Sequence, residues 1–161
     1  FNNYLKLMKI VSEATDDKTK TIDDAKVLKK GEGLFPKDEL TKSLSVYKLN
    51  YYSAHDNFPA YEKTALEHYK NPEEFNSSEL LAAASTIGEK SSDPKSLQMA
   101  ARWAEKVVMS SENYDSTSIL ATLYDKLGKK EEAKMFAGMA ANFAKEENRN
   151  AEKMLEILNK K

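Results

Sequence analysis

The most informative stretch of the sequence is residues 121–140, ATLYDKLGKKEEAKMFAGMA. It begins as the end of an amphipathic helix, stops at Gly128, and resumes as a second helix lined by alanine. Glycine commonly follows a helix C-terminus because it has no Cβ to clash in the left-handed conformation required there. Glu131 and Glu132 then fall in the first turn of the next helix, where negative charge is favourable. The stretch therefore predicts a helix–turn–helix hairpin.

Similar pairs of helices are predicted elsewhere in the chain. Apolar residues at helical spacing indicate helices over 116–127 and 78–90, each followed by a second helix with a stripe of small residues. An earlier pair is expected over 40–54 and 61–69. A last helix is expected from about Ala151.

The first part of the chain is less regular. A helix is indicated from Tyr4 to Val11, and a short one over 22–30 that stops at Gly31. The polar run TDDKTKT at 15–21 reads as a solvated loop, and no segment has the period of a useful strand.

The fold class expected from these patterns is all-α, with antiparallel helix–turn–helix repeats and about eight or nine helices. We expect one helical domain over residues 1–161, irregular over 1–75 and regular over 76–161, as a piece of a longer protein.

Two parts of the sequence coincide when the chain is displaced by 33 residues. AARWAEKV at 100–107 overlies AKMFAGMA at 133–140, and the same offset places Ile87-Gly88 on Leu120-Ala121. Small residues at fixed helical positions let neighbouring helices approach closely. The residues expected to build these helix contacts are Ile87, Gly88, Ala100, Trp103, Ala104, Val107, Leu120, Ala121, Tyr124, Gly128, Ala133, Phe136, Ala137 and Ala140.

A helix–turn–helix unit of 33 to 34 residues resembles the tetratricopeptide repeat. Leu120-Ala121 matches the large-then-small pair of that family, Tyr124 its aromatic residue, and Gly128 its turn glycine. The sequence departs from the family at Thr117, where tryptophan is frequent, and at Lys145, where proline is frequent. The resemblance implies an α-solenoid in which the first helix of each unit lines a concave binding face.

That register assigns a set of small polar side chains to the concave face. They could hold a peptide by hydrogen bonds, but they include no lysine or arginine clamp for a terminal carboxylate. A solvated surface without a ligand is the alternative. The residues are Ser85, Glu89, Ser118, Thr122 and Asp125.

A longer stretch is similar to a narrower group of proteins. Residues 96–148, from SLQMAARWAEKVV to FAKEEN, resemble the helical tail that follows a thioredoxin-like domain in exported bacterial proteins. The resemblance implies that a redox domain precedes Phe1, that this chain is its non-catalytic companion, and that the protein is exported or periplasmic.

Composition excludes several functional classes. The chain has a formal net charge of −1 and a pI near 6.2, so the basic face of a nucleic-acid-binding domain is not expected. It has no cysteine, which removes disulfides, thiolate catalysis and cysteine-based metal sites. No apolar stretch approaches the 18 residues of a transmembrane helix.

No catalytic or metal-binding pattern is present either. His55 and His68 have no ligand spacing and read as surface histidines. Tyr47 and Tyr51 are expected to pack between two helices, with a partly exposed aromatic patch as the alternative. We expect no metal, no cofactor and no enzymatic activity in this chain.

A protein-interaction module is therefore expected, with a polypeptide partner or a covalently linked upstream domain and an oligomeric state left open. Two alternatives stay open: a structural spacer or dimerisation element, and a helical enzyme whose carboxylates converge in a cleft.

Overall fold

The computed structural model describes residues 1–161, and most of them are helical. The prediction of an all-α chain with eight or nine helices is confirmed. A two-stranded hairpin and one turn of 3-10 helix, Pro72–Glu74, are the other regular elements. The helices are α1 (Asn2–Glu13), α2 (Asp24–Gly31), α3 (Lys37–Ala54), α4 (Phe58–His68), α5 (Ser77–Lys90), α6 (Pro94–Ser110), α7 (Tyr114–Lys126), α8 (Lys130–Glu146) and α9 (Glu152–Leu158).

Local capping explains where the helices of the second half begin. Asn76 and Asn113 precede α5 and α7, and each forms a reciprocal capping box with the residue three positions later. The carboxylate of Asp93 accepts a hydrogen bond from the backbone N–H of Lys95, and Pro94 occupies the first turn of α6. After α7 the chain turns at Gly128, whose φ of +73° lies in the left-handed region.

The chain divides into two compact units, Phe1–His68 and Tyr69–Lys161. The division lies near the point where the sequence pattern becomes regular. In the first unit, α3 packs against both α2 and α4, and α1 packs against α2. Its core includes Val11, Val27 and Ala65, none of which is exposed to solvent.

The segment expected to be a solvated loop forms a small hairpin in the first unit. Strands β1 (Thr15–Asp16) and β2 (Thr21–Ile22) pair antiparallel. The Asp16 carboxylate accepts hydrogen bonds from the backbone N–H groups of Lys18 and Thr19, which stabilises the turn. Strands of two residues are too short to show an alternating pattern, so they cannot be recognised from the sequence.

In the second unit each helix contacts the next one along the chain, from α5 through α9. The odd-numbered helices also meet directly, α5 with α7 and α7 with α9. The side chain of Trp103, on α6, is completely buried. Its indole Nε1 donates a hydrogen bond of 3.1 Å to the carbonyl oxygen of Tyr69, and the two rings form a T-shaped pair.

Most residues expected to build the helix contacts are buried. Phe136 is half-buried, and Gly128, expected as the turn glycine, is exposed in its turn. The twelve buried ones are Ile87, Gly88, Ala100, Trp103, Ala104, Val107, Leu120, Ala121, Tyr124, Ala133, Ala137 and Ala140.

The spacing between corresponding helices differs from the 33-residue offset of the sequence comparison. From α5 to α7 the helix starts are 37 residues apart, from α6 to α8 they are 36 apart, and from α7 to α9 they are 38 apart. Two equivalent hydrogen bonds are related by the same shift of 37 residues. Ser77 Oγ bonds with Ser110 Oγ, and 37 positions later the backbone N–H of Tyr114 donates to the Glu147 carboxylate.

The offset from the sequence is therefore about one helical turn short. Buried positions recur every three to four residues on a helix, so a shift of one turn still places buried residues on buried residues. By helix starts Leu97, rather than Ala100, corresponds to Ala133.

None of the nine helices combines the length and the apolar character needed to cross a bilayer.

Overpacking the small-residue contacts should destabilise the protein. Ala104 and Ala137 are completely buried, so Ala104→Leu and Ala137→Leu should each lower the free energy of unfolding by about 1–3 kcal/mol. Urea unfolding followed by circular dichroism measures this change. Ala82→Leu is the matched control, because Ala82 is exposed on α5 and should tolerate the larger side chain. Parent-like unfolding of both buried variants would contradict the close packing.

Two helical glycines should respond differently to alanine. At Gly138 a Cβ would meet Leu158 Cδ2 at an ordinary 3.8 Å, so Gly138→Ala should stabilise the protein by about 0.5–1 kcal/mol through helix propensity. At Gly88 a Cβ would lie only 3.2 Å from Cδ2 of the fully buried Leu123, so Gly88→Ala should give no such gain. Equal stabilisation in the two variants, measured by the same unfolding experiment, would show that Leu123 moves aside.

Candidate functional site

A groove in the second unit is formed by α5, α7 and α9. Its cavity has a volume of about 180 Å³. It contains four of the five residues that the sequence assigned to a concave face, namely Ser85, Glu89, Ser118 and Thr122. These residues come from two helices separated by the whole of α6, and the contact between α5 and α7 brings them together.

Helix α5 forms one wall of the groove. Ser85, Gly88 and Glu89 line it because residues three and four positions apart lie on the same face of a helix. Gly88 is buried and contributes no side chain, which leaves room between α5 and α7. Glu89 is exposed at the edge.

Helix α7 forms the floor. Ser118 and Thr122 lie one turn apart on it, with Tyr114 one turn before them and Ile119 beside them. Both hydroxyls bond to the helix backbone: Thr122 Oγ1 donates to the Ser118 carbonyl at 2.9 Å, and Ser118 Oγ donates to the Asp115 carbonyl at 3.2 Å. Their lone pairs remain as acceptors toward the groove. The floor therefore has hydroxyl and apolar character together.

Helix α9 forms the opposite wall, with Lys153 and Met154. Met154 is 2% exposed and anchors α9, whereas Lys153 is exposed. The sequence interpretation missed these two residues because it treated α9 as an addition after the repeated units. It also left Tyr114 and Ile119, both on α7, out of the concave face. The 38-residue step from the start of α7 to that of α9 is the signal that identifies α9 as a third wall.

The connection that leads into α9 is held at both ends. Arg149 forms an ion pair of 3.0 Å with Asp115 and lies over the ring of Tyr114, with its guanidinium carbon 4.5 Å from the ring centre. The Tyr114 hydroxyl donates a hydrogen bond to the Asn150 carbonyl at 3.0 Å. These contacts position α9 against the start of α7.

Asp125, the fifth predicted residue, does not line the groove. Its carboxylate pairs with Lys160 Nζ at 2.6 Å, so it fastens the end of the chain after α9 to α7. The helical period put Asp125 on the same face of α7 as Thr122, but its carboxylate is directed to Lys160. The lysine that neutralises it lies 35 residues away, and sequence spacing does not indicate that pairing.

The size of the cavity limits its occupant. Pockets for drug-sized molecules commonly measure about 300–1,000 Å³, and this cavity is smaller. It suits a short stretch of polypeptide or one or two side chains better than a cofactor.

The tyrosine pair lies in the first unit. Tyr51 is buried, and its ring stacks on His55 with centroids 4.0 Å apart and on Tyr47 with centroids 6.2 Å apart. Its hydroxyl donates a hydrogen bond of 2.9 Å to Asp17. Tyr47 is half-buried, so this cluster offers little aromatic surface.

The acidic residues of the TDDKTKTIDD segment serve local structure. Asp16 holds the hairpin turn, and the hydrogen bonds from the backbone N–H groups of Lys18 and Thr19 lower the pKa of its carboxyl group. Asp17 accepts the Tyr51 hydroxyl, and Asp23 caps α2. Among residues 1–161 there is no group of three potential ligands arranged for a metal ion.

Comparisons with family models, with curated proteins and with solved structures find no match to this chain.

Tyrosine ionisation should weaken the fold at alkaline pH. Burial, followed by the hydrogen bond to Asp17, raises the pKa of Tyr51 from 10.0 to about 12. Between these values the unfolded chain ionises this tyrosine and the folded chain does not, so stability should fall as pH rises from about 10 to 12. Tyr51→Phe should make that fall shallower in urea-unfolding curves measured across this range. Tyr4→Phe, at an exposed position, is the control. An unchanged slope in Tyr51→Phe would contradict the raised pKa.

Proposed function

We propose that residues 77–161 are a helical-repeat module, similar to tetratricopeptide arrays, that binds a short polypeptide segment in the groove between α5, α7 and α9. The observation that carries the proposal is the convergence of Ser85, Glu89, Ser118 and Thr122 in one cavity. The contacts of α5 with α7 and of α7 with α9 support it, because they place the odd-numbered helices side by side.

The chemistry of the groove favours binding of a peptide ligand over acid–base catalysis on a substrate. Hydroxyl groups and exposed charges at its edge can pair with peptide N–H and carbonyl groups, and Ile119 and Met154 offer apolar contact. The groove contains a single carboxylate, that of Glu89, so it lacks the paired acids of a general acid–base site. Affinity should be modest, because interfaces of high affinity usually centre on deep pockets filled by aromatic or arginine side chains.

The likeness to the helical tails of exported thioredoxin-like proteins extends this proposal. In such a protein the groove would hold a client polypeptide near a redox domain and raise its local concentration there. The gene sequence upstream of Phe1 tests this part: a CxxC-bearing domain supports the redox link, and an unrelated segment removes it.

Peptide selection tests the binding function. A random heptapeptide library displayed on phage is panned against the immobilised chain of residues 1–161, and the selected peptides are titrated into the ¹⁵N-labelled protein. We expect amide shifts concentrated on α5, α7 and α9. No selected peptide, or shifts confined to other helices, would contradict the proposal.

Filling the groove should abolish that binding. Ser85→Arg places a long side chain at a half-buried position in a cavity of about 180 Å³, and binding should weaken by about tenfold or more. Gln98→Arg adds the same side chain at an exposed position on α6 and should leave binding unchanged. Both are measured by titration with the selected peptides. Undiminished binding to Ser85→Arg would place the peptide elsewhere.

A further inference from the structure

Two charged side chains of opposite sign line the groove, one on each of its outer helices. Glu89 stands on α5 and Lys153 on α9, and both are exposed. Neither charged group forms an ion pair with the other or with any residue of the chain. The groove thus has a negative edge and a positive edge, with the hydroxyls of α7 between them.

The neighbouring charges already have partners. Lys126 Nζ donates to the backbone carbonyls of Glu89 and Ser91, at 3.3 Å each. Asp125 and Lys160 pair with each other at 2.6 Å. Glu89 and Lys153 are consequently the two charges of the groove that are available to a ligand.

Their positions on the helices also argue against a structural role. Glu89 lies in the last turn of α5, and Lys153 lies in the first turn of α9. Helix dipoles favour the opposite arrangement, with cations near the C-terminus and anions near the N-terminus. Each charge therefore stands at an end where its own helix gains nothing from it.

We propose that the groove selects a peptide segment that carries both charges, a lysine or arginine bound by Glu89 and an aspartate or glutamate bound by Lys153. This inference rests on the proposed peptide-binding function and specifies its ligand. Packed helices lie about 8–10 Å apart, so the axes of α5 and α9, on either side of α7, are expected to be about 16–20 Å apart, and their side chains reach inward from there. An extended chain advances about 3.3 Å per residue, so the two charged residues of the peptide are about four to six positions apart.

The two charges contribute selectivity more than affinity. Exposed ion pairs are screened by water, and each matched charge should improve binding about two- to fivefold. A mismatched charge loses the attraction and adds repulsion. The order of preference among peptides is therefore a sharper readout than any single dissociation constant.

Four capped hexapeptides form the probe set. Each is acetylated and amidated, with alternating alanine and serine at the four central positions. The end residues are Lys and Glu, Lys and Lys, Glu and Glu, or Gln and Gln. A peptide can bind in either chain direction, so a Lys/Glu peptide can match both charges of the groove whichever end carries the lysine. The four peptides therefore differ only in the charges of their end residues. Each peptide is titrated into the ¹⁵N-labelled chain of residues 1–161 at low salt, where exposed charges act most strongly.

Wild-type protein should prefer the Lys/Glu peptide over the Lys/Lys and Glu/Glu peptides by about three- to tenfold. Glu89→Lys should transfer the preference to Glu/Glu, and Lys153→Glu should transfer it to Lys/Lys. The double variant should prefer Lys/Glu again. Both substitutions place the new charge where the helix dipole favours it, so the variants should remain folded, which thermal melting checks.

Glu146→Lys is the matched control. It makes the same change of charge in the last turn of α8, at an exposed position outside the groove, and should keep the wild-type preference. Equal binding of all four peptides to wild type and variants would overturn the charge selection and leave peptide binding intact. If none of them binds and the phage library also yields no ligand, both the selection and the proposed function fail.

Discussion

The close approach of α5 and α7 is the constraint on which the second unit depends. Gly88 favours that approach, because a Cβ there would lie a tight 3.2 Å from Leu123, a side chain without solvent exposure. The contact between α5 and α7 also forms the groove, since it brings Ser85 and Glu89 beside Ser118 and Thr122. The same pair of helices therefore contributes both to the packing of the second unit and to its groove.

The C-terminal helix, α9, adds the third side of the groove to those formed by α5 and α7. With seven residues, α9 is too short to be stable alone, since isolated helices below about 12–15 residues are marginal in water. Three contacts hold α9 against the rest of the second unit. They are the burial of Met154 and Ile157, the ion pair of Lys160 with Asp125, and the hydrogen bond from Tyr114 to Asn150. Asp125, which the sequence assigned to the concave face, consequently has a structural role. Helix α9, which lies outside the repeat pattern of the sequence, forms one wall of the groove.

The groove combines neutral hydroxyl groups with one negatively and one positively charged side chain. The floor hydroxyls of Ser118 and Thr122 already donate to their own helix, so they remain only as acceptors. Glu89 and Lys153 are the groups with unpaired charge, and they stand on different helices. Under the proposed function, such a groove would distinguish peptides mainly by their charge pattern, with the modest affinity expected of exposed charges.

Local sequence patterns alone indicated the helical class, the approximate extent of the helices and the buried small residues, because each follows from local spacing, caps and the glycine turn at Gly128. They also assigned five polar residues to one face, and four of them, Ser85, Glu89, Ser118 and Thr122, line the groove. The patterns could not specify the 36- to 38-residue step, because buried positions repeat every turn and a slip of one turn preserves the pattern. The pairing of Asp125 with Lys160 and the position of Lys153 at the groove emerge only from the tertiary structure. Those relations join residues more than 30 positions apart, and they arise from packing between helices, which no local pattern encodes.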